Sequence, residues 1–367
     1  MSSNPSAPRR FAALDGARGL AVLFVLADHL ADSERLRLIP GMDLDRAGFF
    51  GVLLFFVLSA FLLTFLFFIQ PKENLAHPAT WLNYVLRRFL RIFPLYTLAV
   101  LAMAWVNPDF VRADVFNHLL LKDGQEHFWT IAVEVKYYFI LPAVVLIAGL
   151  ALFRRWKSVA IAVAAVIAIT YFGGGFLEKI WSMDEDVWLS EYLGVFLAGS
   201  AIGICYALFL RSGRSLARYR TWIEAAGWLA LGIVILRIPS VYTLLFQPAE
   251  EVNKLGGDLG IVAALWSIFL LATLLGRGLL QSALSVAPLR WLGLISYSVY
   301  LWHPFVLDYA EELAQPAYVC WLVFLLGTGA ISTLTYWVVE RPLGSIRLPS
   351  PKPGAERPEP SLAQPAV

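Results

Sequence analysis

Apolar residues in this chain gather into long blocks separated by short polar segments. Ten blocks approach the ~20 residues needed to cross a hydrocarbon layer of ~30 Å. They cover residues 11–30, 49–69, 92–106, 128–153, 159–172, 189–210, 222–236, 259–275, 291–307 and 317–339. Backbone polar groups in lipid must be satisfied within the segment, so each block is expected to be a helix. The seventh is interrupted by Arg237 and Pro239, and apolar residues resume at 241–246. The fold expected is all-α: a polytopic transmembrane helical bundle of about ten spans.

Composition agrees. Of 367 residues, 59% are apolar and 15% charged, against roughly 25% charged in a water-soluble domain. Soluble globular classes are thereby excluded. A net charge of +2 leaves no basic excess for a nucleic-acid surface. Cys205 and Cys320 both lie in apolar runs, where thiols behave as small hydrophobes, so no disulfide framework or Cys-based metal site is expected.

Orientation follows from Lys and Arg. With the N-terminus inside, nineteen of the 29 fall in cytoplasmic segments and eight in outer loops, while Arg18 and Lys136 lie within spans. That asymmetry predicts cytoplasmic termini on both ends. The first block carries Asp15 and Arg18, lacks a small-residue cleavage pattern and precedes nine more, so it reads as a span rather than a cleaved signal. The expected organisation is a cytoplasmic segment at 1–10, a membrane domain at 11–347 and a disordered cytoplasmic tail at 348–367 rich in Pro, Glu, Ser and Ala. The longest loop is expected near residues 71–91, too short for a second globular domain, so any chemistry falls to the bundle itself.

Ionisable groups inside spans cost roughly 2.5–3.5 kcal/mol each on insertion scales, which marks them for function. In the first block Arg18 and His29 are eleven positions apart, three helical turns plus about 20°, which puts them on one face ~16 Å apart along the axis. Gly16 and Gly19 allow backbone or ligand to approach that face. The fourth block opens WTIAVEVKYYFILP, with Glu134 one and a half turns below Trp129, at a depth like that of His29; Tyr137 and Tyr138 are its local hydrogen-bonding neighbours. In the ninth, Ser296, Tyr300 and His303 share one stripe, with His303 nearing the outer surface. Before the third, YVLRRFLRIFPLY carries Arg87, Arg88 and Arg91, of which Arg87 and Arg91 share a face suited to phosphate. Each feature also has a plain structural reading: an internal Asp15–Arg18 pair, an aromatic belt, or a topology signal facing lipid headgroups. In combination they describe a polar path from one leaflet to the other. His29 and His303 stand isolated in sequence and no HExxH pattern occurs, so no metal site is expected. Ser59, in GVLLFFVLSAFLL, has no nucleophile elbow around it.

In LDGARGLAVLFVLADH, GVLLFFVLSAFLL, RRFLRIFP, WTIAVEVKYYFILP and LGLISYSVYLWHP followed by VVERP, the chain resembles the membrane acyltransferase family 3 over approximately residues 11–342. Ala60 stands where that family usually has Gly, and Tyr137 where Phe is common. The resemblance implies a multi-pass enzyme of the bacterial inner (plasma) membrane that moves acyl groups from acyl-CoA, acetyl-CoA foremost, to hydroxyls of glycans or small molecules, with no metal. It implies His29 as the essential histidine, Arg18 as its partner, Arg87, Arg88 and Arg91 as the arginines that meet the CoA donor, and Glu134 as the acid of the fourth span. Some members carry an extracytoplasmic hydrolase-like domain that completes transfer. This chain is therefore expected to acylate its acceptor directly or to hand the group to a separate extracytoplasmic transferase.

The mechanism expected is O-acyl transfer, with His29 oriented by Glu134. His29 acts either as base on the acceptor hydroxyl or as transient acyl carrier, and Arg18 or Tyr300 meets the oxyanion. Tyr300, His303 and Trp129 are the expected acceptor-side residues. A proton-coupled transporter is the rival reading of ten spans with buried Arg, Glu and His, although the half-chains lack the paired interrupted helices of such carriers.

Overall fold

The computed structural model describes residues 12–33, 35–36, 44, 46–153, 188–246, 258–276 and 278–348. Among these, every regular element is helical. In chain order the helices are α1 (Ala12–Asp32), α2 (Ala47–Ile69), α3 (Pro78–Val106), α4 (Arg112–Leu119), α5 (Trp129–Phe153), α6 (Leu189–Arg211) and α7 (Arg220–Leu236). There follow α8 (Pro239–Phe246), α9 (Leu259–Leu275), α10 (Leu279–Leu284), α11 (Ala287–Leu294), α12 (Ser296–Glu312), α13 (Ala317–Thr335) and α14 (Arg341–Gly344). Short 3₁₀ turns precede α3 and α5, and a π-helical turn, Tyr336–Glu340, joins α13 to α14.

Among the described residues, six helical stretches are long and apolar enough to cross a bilayer: Ala47–Ile69, Pro78–Val106, Glu126–Leu152, Leu189–Arg211, Ala217–Leu236 and Ala317–Gly344. α1 has 21 residues, but Asp15, Arg18, Asp28 and Asp32 dilute its apolar character. α9 and α12 have 17 residues each, or about 26 Å at 1.5 Å per residue, close to the hydrocarbon thickness. The expected span at 159–172 lies outside the described residues, as do the first eleven residues and the tail from 349.

Two expectations about the elements are corrected. Residues 78–91, read as loop, are the first half of a single 29-residue helix that starts with Pro78 in its first turn and runs through Pro94. The ninth block is not one helix: it breaks at Ile295, between α11 and α12, so the chemistry-bearing stripe starts its own helix at Ser296. The break at Arg237–Pro239 falls where the sequence places it, between α7 and α8.

α2 is apolar all round and buried along nearly its whole length, as expected of a central helix. α1 packs on one side of it and α6 on another, and α5 and α9 also reach it. In lipid the hydrophobic effect does not drive helices together, so contact depends on close backbone approach and polar links. Both are present. A Cβ at Gly199 would overlap the Val57 carbonyl oxygen, and one at Gly203 would lie 2.8 Å from that of Phe61. Thr64 Oγ1 lies 2.7 Å from Ser200 Oγ across the same interface, and Trp266 Nε1 donates to the Phe50 carbonyl at 2.9 Å.

The contact that positions the site is on the opposite flank of α1. A Cβ at Gly16 would overlap the Leu284 carbonyl oxygen, one at Gly19 that of Leu289, and one at Gly293 that of Asp15. The three glycines let α1 sink against α10 and α11, and α12 continues from there along α1. Gly293→Ala is expected to force these helices apart, costing roughly 1–3 kcal/mol as overpacking does. The thermal midpoint of the detergent-solubilised protein should fall by several degrees. Gly149→Ala, whose added Cβ meets nothing within 4 Å, should leave the midpoint where it is.

Candidate functional site

The polar residues collect in two layers stacked along α12. The inner layer surrounds a pocket of about 70 Å³ that is partly open to its surroundings. Its polar walls come from five elements: Arg18 on α1, Ser59 on α2, Arg88 and Arg91 on α3, Thr130, Glu134 and Tyr138 on α5, and Ser296, Tyr297 and Tyr300 on α12. Val52, Phe55, Phe56, Ile92 and Ile131 supply the apolar remainder.

Within this layer several polar groups pair with one another. Tyr138 Oη donates to Glu134 Oε1 at 2.6 Å; its proton being spent, Ser59 Oγ at 2.8 Å is the donor to Tyr138 Oη. The Arg88 guanidinium carbon lies 5.7 Å from the Tyr138 ring centre, within cation–π reach. Arg91 pairs with Glu340, Nη1 to Oε2 at 3.4 Å. Glu340 is 1% exposed; its other oxygen accepts from Ser298 Oγ, and Thr335 Oγ1 donates to Ser298 at 3.1 Å. Tyr297 Oη donates to the Ile92 carbonyl at 2.9 Å and ties α12 to α3.

The outer layer begins at Tyr300. Its hydroxyl donates to the His127 carbonyl at 2.7 Å and accepts from Thr130 Oγ1 at 2.8 Å. One turn farther along α12, His303 is fully buried. Its ring centre is 4.9 Å from that of His29, with the planes at 62°, and 6.0 Å from that of His127. His303 Nε2 and His127 Nε2 are both buried without a hydrogen-bond partner.

The expected residues fare as follows. Arg18 and His29 face the same stripe of α12, Arg18 at the level of Ser296 and Tyr300 and His29 at His303. Ser296, Tyr300 and His303 form the stripe that their spacing predicts. Glu134 does not orient His29: it sits with Arg18, Arg88 and Arg91 in the inner layer, ~6 Å below Thr130 along α5, and the ring against His29 is that of His303. Of its two tyrosine neighbours Tyr138 is the partner, while Tyr137 turns to Ser200. The arginine face is Arg88 with Arg91, at i and i+3, rather than Arg87 with Arg91; Arg87 does not line the cavity, and Arg91 is engaged by Glu340. Tyr300 has its proton committed to a carbonyl, so it offers no donor to an oxyanion as it stands. Trp129 is not at the cavity: its ring packs 5.3 Å from Tyr192 and 6.3 Å from Phe56.

His29 and His303, isolated in sequence, are neighbours in space, and His127 joins them. Among the described residues no group of three or more His, Cys, Asp or Glu side chains is arranged to hold a metal ion. Sequence reasoning missed His127, which precedes the fourth span in a 3₁₀ turn, Glu126–Phe128, and carries no periodic signal. It also missed Glu340, which the π-helical turn brings inward; π-turns cluster at functional sites.

Comparison with known proteins bears on what this arrangement does. Residues 11–340 match the family model described as an acyltransferase domain. The chain is 24% identical to the peptidoglycan O-acetyltransferase OatA of Listeria monocytogenes, across 90% of this chain and 55% of that protein. It is 24% identical to the putative peptidoglycan O-acetyltransferase YrhL of Bacillus subtilis, across 90% and 54%, and 23% identical to the O-acetyltransferase OatA of Staphylococcus aureus, across 92% and 57%. The chain thus spans little more than half the length of these relatives. No solved structure matches it.

Removing Arg91 alone should cost more than removing both partners of the Arg91–Glu340 pair, because the fully buried Glu340 carboxylate is then left unpaired. Arg91→Met alone is expected to be more destabilising than Arg91→Met with Glu340→Leu. Thermal unfolding of the two single variants and the double should yield a coupling of about 1 kcal/mol or more.

Proposed function

The chain belongs to the membrane acyltransferase family 3, and from there we propose that it is an O-acyltransferase of the bacterial plasma membrane. It moves a short acyl group, acetyl foremost, from cytoplasmic acyl-CoA to a hydroxyl of an envelope glycan or another hydroxylated acceptor. The observation that carries this reading is the placement of Arg18 and His29 along one stripe of α12, the first in the polar pocket and the second just beyond it. The names of the matched relatives, peptidoglycan O-acetyltransferases among them, support the acetyl group and the glycan hydroxyl.

In this reading the anionic part of acyl-CoA meets Arg87 and Arg88, whose guanidiniums suit phosphate. Arg91 is held by Glu340 at the cavity wall. The acylated arm enters the cavity past Arg18, whose guanidinium donates to its carbonyl oxygens on the way to His29. His29 takes the proton of the attacking hydroxyl. The new C–O bond forms as the C–S bond breaks, and the departing thiolate takes the proton back, leaving the imidazole neutral. Glu134, Tyr138 and Ser59 keep the cavity wall polar beside Arg18. Substrate must displace the Tyr300–Thr130 contact to bring the thioester from the inner layer to His29.

Protein in lipid nanodiscs given acetyl-CoA and peptidoglycan fragments should release free CoA thiol and produce acceptor heavier by one acetyl group. A transporter would move solute without consuming thioester. His29→Ala should lower turnover by about 10²-fold or more with insertion unchanged; transfer kept within a few-fold overturns its role. Arg18→Lys should lower turnover by roughly tenfold, because an ammonium lacks the planar fork.

A further inference from the structure

The imidazole cluster holds a feature that the mechanism above leaves unused. His303 Nδ1 lies 3.0 Å from the Val299 carbonyl oxygen. A carbonyl has no proton to give, so Nδ1 carries the hydrogen and Nε2 is a bare lone pair. That lone pair is buried and has no hydrogen-bond partner, on a side chain with no exposure at all. Native structures rarely leave such an atom unsatisfied. The ring 4.9 Å away is that of His29.

We propose that His303 is the positioning residue of the catalytic histidine, resting on the reading of His29 as the base. With its tautomer fixed by Val299, His303 presents Nε2 as acceptor for one N–H of His29, which leaves the other His29 nitrogen bare for the acceptor hydroxyl. When that hydroxyl proton arrives, His29 is an imidazolium whose opposite N–H is still held by His303 Nε2, so its charge is spread over two rings. Formation of the C–O bond, cleavage of C–S and return of the proton to the thiolate restore both rings to neutral. The part that a carboxylate plays beside many catalytic histidines falls here to a second imidazole. Glu134 is engaged elsewhere, by Tyr138. The other titratable groups around the pair are Asp32 on α1, Glu126 and His127 ahead of α5, and Tyr300 on α12 itself. His127 also keeps a buried Nε2 without a partner, but the ring packed against His29 is that of His303.

His303→Phe keeps a ring and removes the acceptor; His303→Gln keeps an acceptor that cannot ionise. In nanodiscs, CoA release is measured against pH between about 5 and 9, the range over which imidazoles titrate. His303→Phe should lower kcat by roughly 10–100-fold, as loss of an orienting partner does, and Gln should recover a substantial part of it. An acceptor on His29 favours its protonated form. Removing that acceptor should therefore move the acid limb of the kcat profile to lower pH, a change that a packing defect does not produce. If His303→Phe fails to insert, His303→Met serves in its place. An unchanged acid limb with kcat kept within twofold, in a background where His29→Ala is inactive, overturns the proposal for His303. Activity in His29→Ala itself overturns instead the reading of His29 on which it rests.

Discussion

Charged and polar side chains placed in the interior of a bundle that faces lipid cannot look outward for partners, because hydrocarbon supplies none. Here three guanidiniums, two carboxylates and three imidazoles must be satisfied by the helices around them, and much of the architecture answers that requirement. Glu340 is met by Arg91 and Ser298, and Glu134 by Tyr138 with Ser59 behind it. The helices that bear these groups are α2, α3, α5, α12 and the π-turn after α13. They can converge because glycines at the α1–α11 and α2–α6 contacts remove the side chains that would hold the backbones apart.

This constraint also explains the order of the layers. The inner one is rich in groups of both signs and closes around a cavity; the outer one is made of neutral-capable rings, two of them with unsatisfied nitrogens. Charge recognition and proton transfer make different demands. The first wants fixed ions at an entrance, and the second wants a group whose protonation changes at little cost. The bundle sets the ion-rich groups and the imidazoles at successive levels along α12.

Much of this was legible in the chain itself. The 3.6-residue period placed Arg18 with His29 and Ser296 with Tyr300 and His303, and each set keeps its face in three dimensions because helix geometry fixes it locally. What failed was what local geometry leaves open. Arg87 and Arg88 are both within one turn of Arg91, so spacing alone could not choose which joins it at the cavity; packing of α3 against α5 chose Arg88. The break at Ile295 has no proline or glycine at that residue, and the nearby Gly293 serves the contact with α1 rather than a turn. Glu134 was set at the depth of His29 by counting along one helix, but depth depends on how α1 and α5 slide past each other, which no single helix encodes. His127 and Glu340 sit at helix ends, where a polar residue ordinarily signals an interface with water; only the inward turn of the backbone shows otherwise.

A row of ionisable groups running from one side of a bilayer towards the other is, physically, the beginning of a wire. Cells that store energy as a transmembrane gradient cannot tolerate one that leaks. In this bundle the Tyr300 hydroxyl has given its hydrogen to the His127 carbonyl and receives another from Thr130. A hopping proton finds no open acceptor there until that arrangement is broken. The same three groups thus lie between the polar pocket and the imidazoles, and their hydrogen bonds must be rearranged before a proton can pass from one to the other.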